Sequence, residues 1–284
     1  MEEPQSDKRR AQRLYAAACG LLLGETVLSL TASAFGGAWR IFFRVLAYLA
    51  PVAVYAFFLV PRFGIRPARP PQRAGARAVL PLFPLFLCAV LFASSLTGWV
   101  LSLCGLSVGG GGSSAGSFFR VLLLDCFLPA VLEELLFRYA ILSLLRAADE
   151  RHAVWMCALL FAMLHGNLYQ IPYAFVGGLF LSLAAVRGGS VLFPLLFHFG
   201  NNLLSVTLER LPIAAGMPLG MVLTVFCIFL VCAAAAWGAL TLYRRGELPS
   251  PPPRDGWQRV LFSPLLLYLL LMLFYTALSL GGVI

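Results

Sequence analysis

The stretch Val79-Leu80-Pro81-Leu82-Phe83-Pro84-Leu85-Phe86-Leu87-Cys88-Ala89-Val90-Leu91-Phe92-Ala93-Ser94-Ser95-Leu96-Thr97-Gly98-Trp99-Val100-Leu101-Ser102-Leu103-Cys104 contains no charged residue. About 20 apolar residues in a helix cross the hydrocarbon core of a bilayer, so this run is long enough to span. Working outward, eight further stretches read the same way: Leu14–Ala34, Ile41–Val60, Phe118–Leu145, His152–Leu168, Pro172–Val186, Val191–Leu208, Met217–Tyr243 and Val260–Leu280. Pro172–Val186 is short, which makes the count eight or nine. The fold class that follows is all-α, a polytopic transmembrane helix bundle. Between the spans, Pro61 to Pro71 is rich in Arg and Pro, Gly109 to Gly116 is rich in Gly and Ser, and Pro249 to Pro253 is a proline run. These are punctuation, not element interiors.

Composition supports the same class. Of the 284 residues, 61% are hydrophobic and 12% charged, against roughly a quarter charged in soluble domains. The formal net charge of +9 does not point to nucleic acid, because the basic residues flank apolar spans, where they set orientation and meet anionic membrane lipid. With the N-terminus inside and nine alternating spans, sixteen of the Lys and Arg residues fall inside; Arg40, Arg44, Arg120 and Arg210 fall outside, and Arg138 lies within a span. The first span follows Lys8, Arg9, Arg10 and Arg13, yet runs on through Ala34 without an A-x-A site, so it is expected to be a retained helix rather than a signal peptide. The seven cysteines form no C-x-x-C. They read as small apolar residues inside spans, without a disulfide framework or a thiolate metal site.

Ionisable groups inside spans are costly and mark bundle interiors or water-filled cavities. The fourth span reads Leu132-Glu133-Glu134-Leu135-Leu136-Phe137-Arg138. Glu134 and Arg138 stand four apart and share a helix face; Glu133 projects about 100° away from it. Pro129, one turn earlier, is expected to bend the helix. The fifth span carries Phe161-Ala162-Met163-Leu164-His165 and the seventh His198-Phe199-Gly200-Asn201-Asn202. His198 and Asn202 lie on one face, with Asn201 turned aside. Each feature also has a plain structural reading: a Glu–Arg bridge that locks helices, or His and Asn hydrogen bonds between helices worth about 1 kcal/mol. His152, beside Arg151, is expected at the interface. Counted from Arg146, Arg151 and Arg187, the residues Glu133, His165 and His198 lie about 20, 21 and 16 Å along their helices, so all three are expected in one layer.

Glu133-Glu134…Arg138, Phe161…His165 and His198…Asn202 follow the patterns E-E-x-x-x-R, F-x-x-x-H and H-x-x-x-N in order, and the approach Gly189-Ser190-Val191-Leu192-Phe193-Pro194 precedes the third. In these features the chain resembles the CPBP family of intramembrane proteases, the CAAX-protease and bacteriocin-processing group also called Abi. The resemblance covers roughly Phe118 to Ser205. It divides the chain into N-terminal helices over residues 1–117, a catalytic core over 118–208 and C-terminal helices over 209–284.

The resemblance implies an endopeptidase acting on a membrane-associated protein or peptide, with or without a lipid anchor. In it Glu133 and His165 hold and deprotonate a water, and His198 and Asn202 donate to the oxyanion. Glu134 and Arg138 support the site from behind. Many members are bacterial, so the expected location is a bacterial plasma membrane with the N-terminus cytoplasmic. No cofactor is favoured. Glu133, His165 and His198 nevertheless match the ligand set of some catalytic zinc sites, so a zinc-dependent protease stays open. So does a proton-coupled transporter, in which the same groups form a relay, and a protease-like scaffold that binds membrane partners without cleaving them.

Overall fold

The computed structural model describes residues 5–65, 75–106, 117–150, 152–214, 217–246 and 263–280. Among them are nine helices and no strand: α1 (Gln5–Ser33), α2 (Gly37–Phe63), α3 (Ala76–Leu103), α4 (residues 118–148), α5 (Ala153–Leu164), α6 (Gln170–Gly188), α7 (Leu192–Ala214), α8 (Met217–Arg245) and α9 (Pro264–Leu280). Each coincides with one of the stretches expected to span. The three segments singled out as punctuation lie wholly or partly outside the described residues.

Five helices, α1, α2, α3, α6 and α8, are long and apolar enough to cross a membrane. The sixth stretch, expected to be the weak one, is among them, because its helix begins at Gln170 and runs for 19 residues. The short element is the fifth: α5 has 12 residues, about 18 Å of helix against a core of about 30 Å. It stops where Gly166 takes φ +57°, a left-handed turn that glycine adopts without steric cost. Helix α4 is not among these five, and carries Arg120, Asp125, Glu133, Glu134, Arg138 and Arg146.

The surface of α8 identifies its surroundings. Its apolar window has a mean hydropathy of 2.6, yet only 11% of it is buried within the protein. Val225, Phe229 and Trp237 all point outward. A helix that is apolar all round and uncovered by protein is covered by lipid. The protein is integral to a membrane.

Packing divides the chain into two compact units, each assembled from separated segments. The first comprises the described parts of Met1–Arg69, Leu132–Ile171 and Pro251–Ile284. In it α1 packs on α2, on the C-terminal part of α4 and on α9, while α5 packs on α4 and α9. The inner stripe of α1 is Leu14, Ala18, Leu22, Glu25 and Ala32, all buried, at the three- and four-residue steps of one helix face. The second unit comprises Pro70–Val131 and Pro172–Ser250. There α8 packs on α3 and α7, and α7 also meets the N-terminal part of α4. Glycines let these backbones approach, as small residues do in membrane interfaces. A Cβ on Gly238 would strike the carbonyl oxygen of Pro81, and one on Gly177 would touch Val90 and Phe86.

Candidate active site

Helix α4 is not a uniform α-helix. Two π-helical stretches, Leu122–Phe127 and Leu135–Ile141, bracket the α-helical Leu128–Glu134. Pro129 explains the first, since it has no N–H to close a regular turn. The expected bend is thus a widened turn, of a kind common at functional sites. The glutamates stand where the second widening begins. Glu134 is fully buried and Arg138 is 3% exposed; Arg138 Nη1 donates to Glu134 Oε1 at 2.9 Å, the pairing expected from their spacing. Glu133 is half-buried on a different face of the helix.

The fifth helix joins this group through its phenylalanine. The guanidinium carbon of Arg138 lies 4.4 Å from the centroid of the Phe161 ring, within cation–π range. Phe161 also packs edge-on against Phe137 at 5.1 Å. One turn on, His165 caps α5. Its backbone N–H bonds to Ala162, so the carbonyl of Phe161 is left to the imidazole, with Nδ1 at 2.9 Å. A carbonyl only accepts, so Nδ1 carries the hydrogen and Nε2 keeps its lone pair as acceptor, base or ligand. The first two motifs therefore make one connected assembly within the first unit: Glu134, Arg138, Phe161, His165.

His198 and Asn202 belong to the second unit. His198 is buried at 8% exposure and Asn202 is half-buried. The Asn202 amide donates through Nδ2 to the carbonyl of Cys126 at 3.4 Å. That carbonyl lies in the widened turn of α4, and the bond sets the plane of an amide that has a second N–H to give. The helix carrying the pair is anchored by aromatics. Phe197 lies between Phe83 and Phe86, with centroids at 4.8 and 5.8 Å. Gly200 admits the Phe83 ring where a Cβ would come to 2.8 Å of it. The turn into this helix uses Gly189 at φ +63°, and Ser190 Oγ accepts from the N–H of Leu192 at 3.1 Å.

Two further ionisable residues lie buried in the first unit. His152 is buried, at 2% exposure; its Nδ1 lies 3.1 Å from Asp149 Oδ2, and the pair closes the turn between α4 and α5. Glu25 was not singled out in the sequence. It is 2% exposed in α1, its Oε1 accepts from Ser29 Oγ at 2.6 Å, and it interacts electrostatically with Glu133. The signal that marks it is the rule applied to the other spans, that an ionisable residue on the inner stripe of a membrane helix carries function. Within each unit, no three described His, Cys, Asp or Glu side chains are gathered to hold a metal ion. The possible zinc set draws Glu133 and His165 from one unit and His198 from the other.

Residues 115–204 match the model of the Rce1-like family, described as type II CAAX prenyl endopeptidase Rce1-like. The matched region contains all three motifs and bears out the resemblance to the CPBP, or CAAX-protease, family. It indicates CAAX-type endopeptidase activity in general terms. No curated protein and no solved structure matches the chain.

Proposed function

We propose that the protein is an intramembrane endopeptidase that cleaves a membrane-associated, lipid-anchored protein or peptide, using Glu133 as general base. A water held by Glu133 and His165 attacks the scissile carbonyl carbon as Glu133 takes its proton. The negative charge moves to the carbonyl oxygen, where His198 and the Asn202 amide donate hydrogen bonds. Collapse of this intermediate breaks the C–N bond, and the proton on Glu133 passes to the leaving nitrogen. Such a reaction requires Glu133, His165, His198 and Asn202 to converge on one cavity, with functional atoms within about 10 Å of each other, directly or through a water. Glu134 and Arg138 fix the helix that presents the base.

The observation that carries this reading is that one family-matched segment, residues 115–204, contains all three motifs. Two of them, moreover, are physically linked through Arg138 and Phe161. The preference for a glutamate base over zinc rests on residue chemistry. Asn202 is a poor zinc ligand and a good amide donor, and a zinc site made of Glu133, His165 and His198 would leave only Glu134, engaged by Arg138, to act as base.

The test is cleavage of a prenylated CAAX peptide and its unprenylated counterpart by purified protein, before and after strict chelation. Cleavage of the prenylated peptide should survive chelation, and Glu133→Gln should lower turnover by a hundredfold or more, in line with the roughly 10²–10⁴ of general base catalysis. Stoichiometric zinc, with activity lost on chelation and restored by zinc, would replace this mechanism with the metal-dependent one. Absence of cleavage, with proton-coupled uptake in vesicles, would replace the protease with a carrier.

A further inference from the structure

The N-terminal end of α1 carries a feature that the reaction above does not use. An open cleft of about 450 Å³ is lined by Arg9, Gln12, Arg13 and Ala16 of α1 and by Pro264, the first residue of α9. Both helices belong to the first unit. Cys19 Sγ donates to the carbonyl of Pro264 at 3.5 Å and so ties the start of α9 to α1. Arg9, Gln12 and Arg13 stand at three- and four-residue steps, so their donors fall on one side of the helix. Arg10, between them, is turned elsewhere: its Nη2 donates to the carbonyl of Phe63, at the end of α2, at 3.4 Å. Among the described residues no acidic side chain lines the cleft. Two forked guanidiniums and an amide, with no carboxylate to neutralise them, are suited to hold a phosphate.

The same face continues as an apolar stripe. Ala16, Gly20, Leu23, Val27 and Leu30 are all exposed, at the spacing of one helix face, in a helix long and apolar enough to cross a membrane. A Cβ on Gly20 would have nothing within 4 Å, so Ala16 and Gly20 leave a shallow trough directly below the arginines. Ala16 to Val27 covers about 17 Å of helix, close to half of the roughly 30 Å hydrocarbon core, which is the reach of an acyl chain in one leaflet. A soluble phosphate would use the arginines alone, whereas a lipid uses both parts. A choline headgroup would bring a cation to two arginines with no carboxylate to receive it, a like-charge juxtaposition that disfavours it.

We propose that this cleft is a binding site for one anionic phospholipid, its phosphate held by Arg9, Arg13 and the Gln12 amide and one acyl chain laid along Ala16, Gly20, Leu23 and Val27. Such a site differs from the general attraction of basic flanks to anionic lipid in being stoichiometric and in depending on two particular arginines. It stands whether or not the protein is a protease.

The experiment is native mass spectrometry of the full chain purified in detergent, with phosphatidylglycerol or phosphatidylcholine added at equal concentration and melting temperature measured alongside. The wild type should bind one phosphatidylglycerol on the order of tenfold more tightly than phosphatidylcholine, as two surface arginines warrant, and should melt higher with it. Arg9→Gln/Arg13→Gln should lose that preference. Lys8→Gln/Arg62→Gln, which removes the same charge from residues that do not line the cleft, should keep it. Ala16→Trp, which fills the cleft at unchanged charge, should lose the bound lipid. Inorganic phosphate and glycerol phosphate at millimolar concentration should not displace it. Equal losses in the two double variants would reduce the site to diffuse charge attraction and overturn the proposal, as would full retention in Ala16→Trp. Displacement by inorganic phosphate would overturn the lipid assignment in favour of a soluble anion. Should Arg9→Gln/Arg13→Gln not fold, Ala16→Trp and the phosphate competition decide the assignment.

Discussion

Arg138 is held by a carboxylate at 2.9 Å and by an aromatic face at 4.4 Å, and is almost wholly buried. Removing it abandons the charge of Glu134 in the interior, a loss typically of about 3–5 kcal/mol. Arg138→Ala should therefore lower the melting temperature in detergent sharply, and the double variant Glu134→Gln/Arg138→Met should recover much of it. A single variant as stable as wild type but catalytically dead would instead place Arg138 in the chemistry. Asn202 has the opposite expectation. Its side chain makes a long bond to Cys126, so Asn202→Ala should melt near wild type while kcat falls on the order of 10²–10³, the usual effect of removing one oxyanion donor. At this scale spacing alone revealed the Glu134–Arg138 pair and the shared face of His198 and Asn202. The stacking of Arg138 on Phe161 and the inward placement of Glu25 depend on which helices become neighbours, and no local pattern carries that information.

The helices show where periodic reading succeeds and where it stops. Among the described residues the nine apolar stretches became nine helices, because each must satisfy its own backbone hydrogen bonds in lipid. Their lengths were less legible. The fifth was read to residue 168 but ends at Leu164, because a left-handed Gly166 packs beside the Tyr275 ring, which a Cβ would meet at 2.6 Å. The widened turns of α4 also lay beyond the pattern, although Pro129 marked their neighbourhood. Packing between α3 and α8 depends on Gly238, whose Cβ would meet the Pro81 backbone oxygen rather than a side chain able to swing aside. Gly238→Ala should therefore destabilise the protein by about 1–3 kcal/mol, as overpacking does. Gly20, where an added Cβ would have nothing within 4 Å, is the control. Gly20→Ala should be neutral or stabilising by up to about 1 kcal/mol, the helix preference for Ala. Equal melting temperatures for the two variants would show that α3 and α8 do not approach closely in the membrane.

For the molecule as a whole the open property is its direction across the bilayer, for which the charges give a prediction. Under the positive-inside rule the sixteen-to-four distribution of Lys and Arg, with Arg138 set aside, predicts the N-terminus and the Arg/Pro-rich segment from Pro61 to Arg77 on the cytoplasmic face. That segment carries Arg62, Arg66, Arg69, Arg73 and Arg77 between two spans. Moving such a cluster across the membrane opposes both the potential and the anionic lipid of the inner leaflet. In a variant with its seven cysteines replaced, a cysteine at Ala34, beyond α1, should react in intact cells with a membrane-impermeant reagent. A cysteine at Ala74 should react only after the membrane is opened, and so should one at Ser190, between α6 and α7. The last site tests α5 directly, because a helix of 12 residues that dips in without crossing would move Ser190 to the outside while leaving Ala34 and Ala74 unchanged. Reaction at Ala74 from outside would reverse the orientation itself, and with it the face from which the proposed lipid-anchored substrate would reach Glu133.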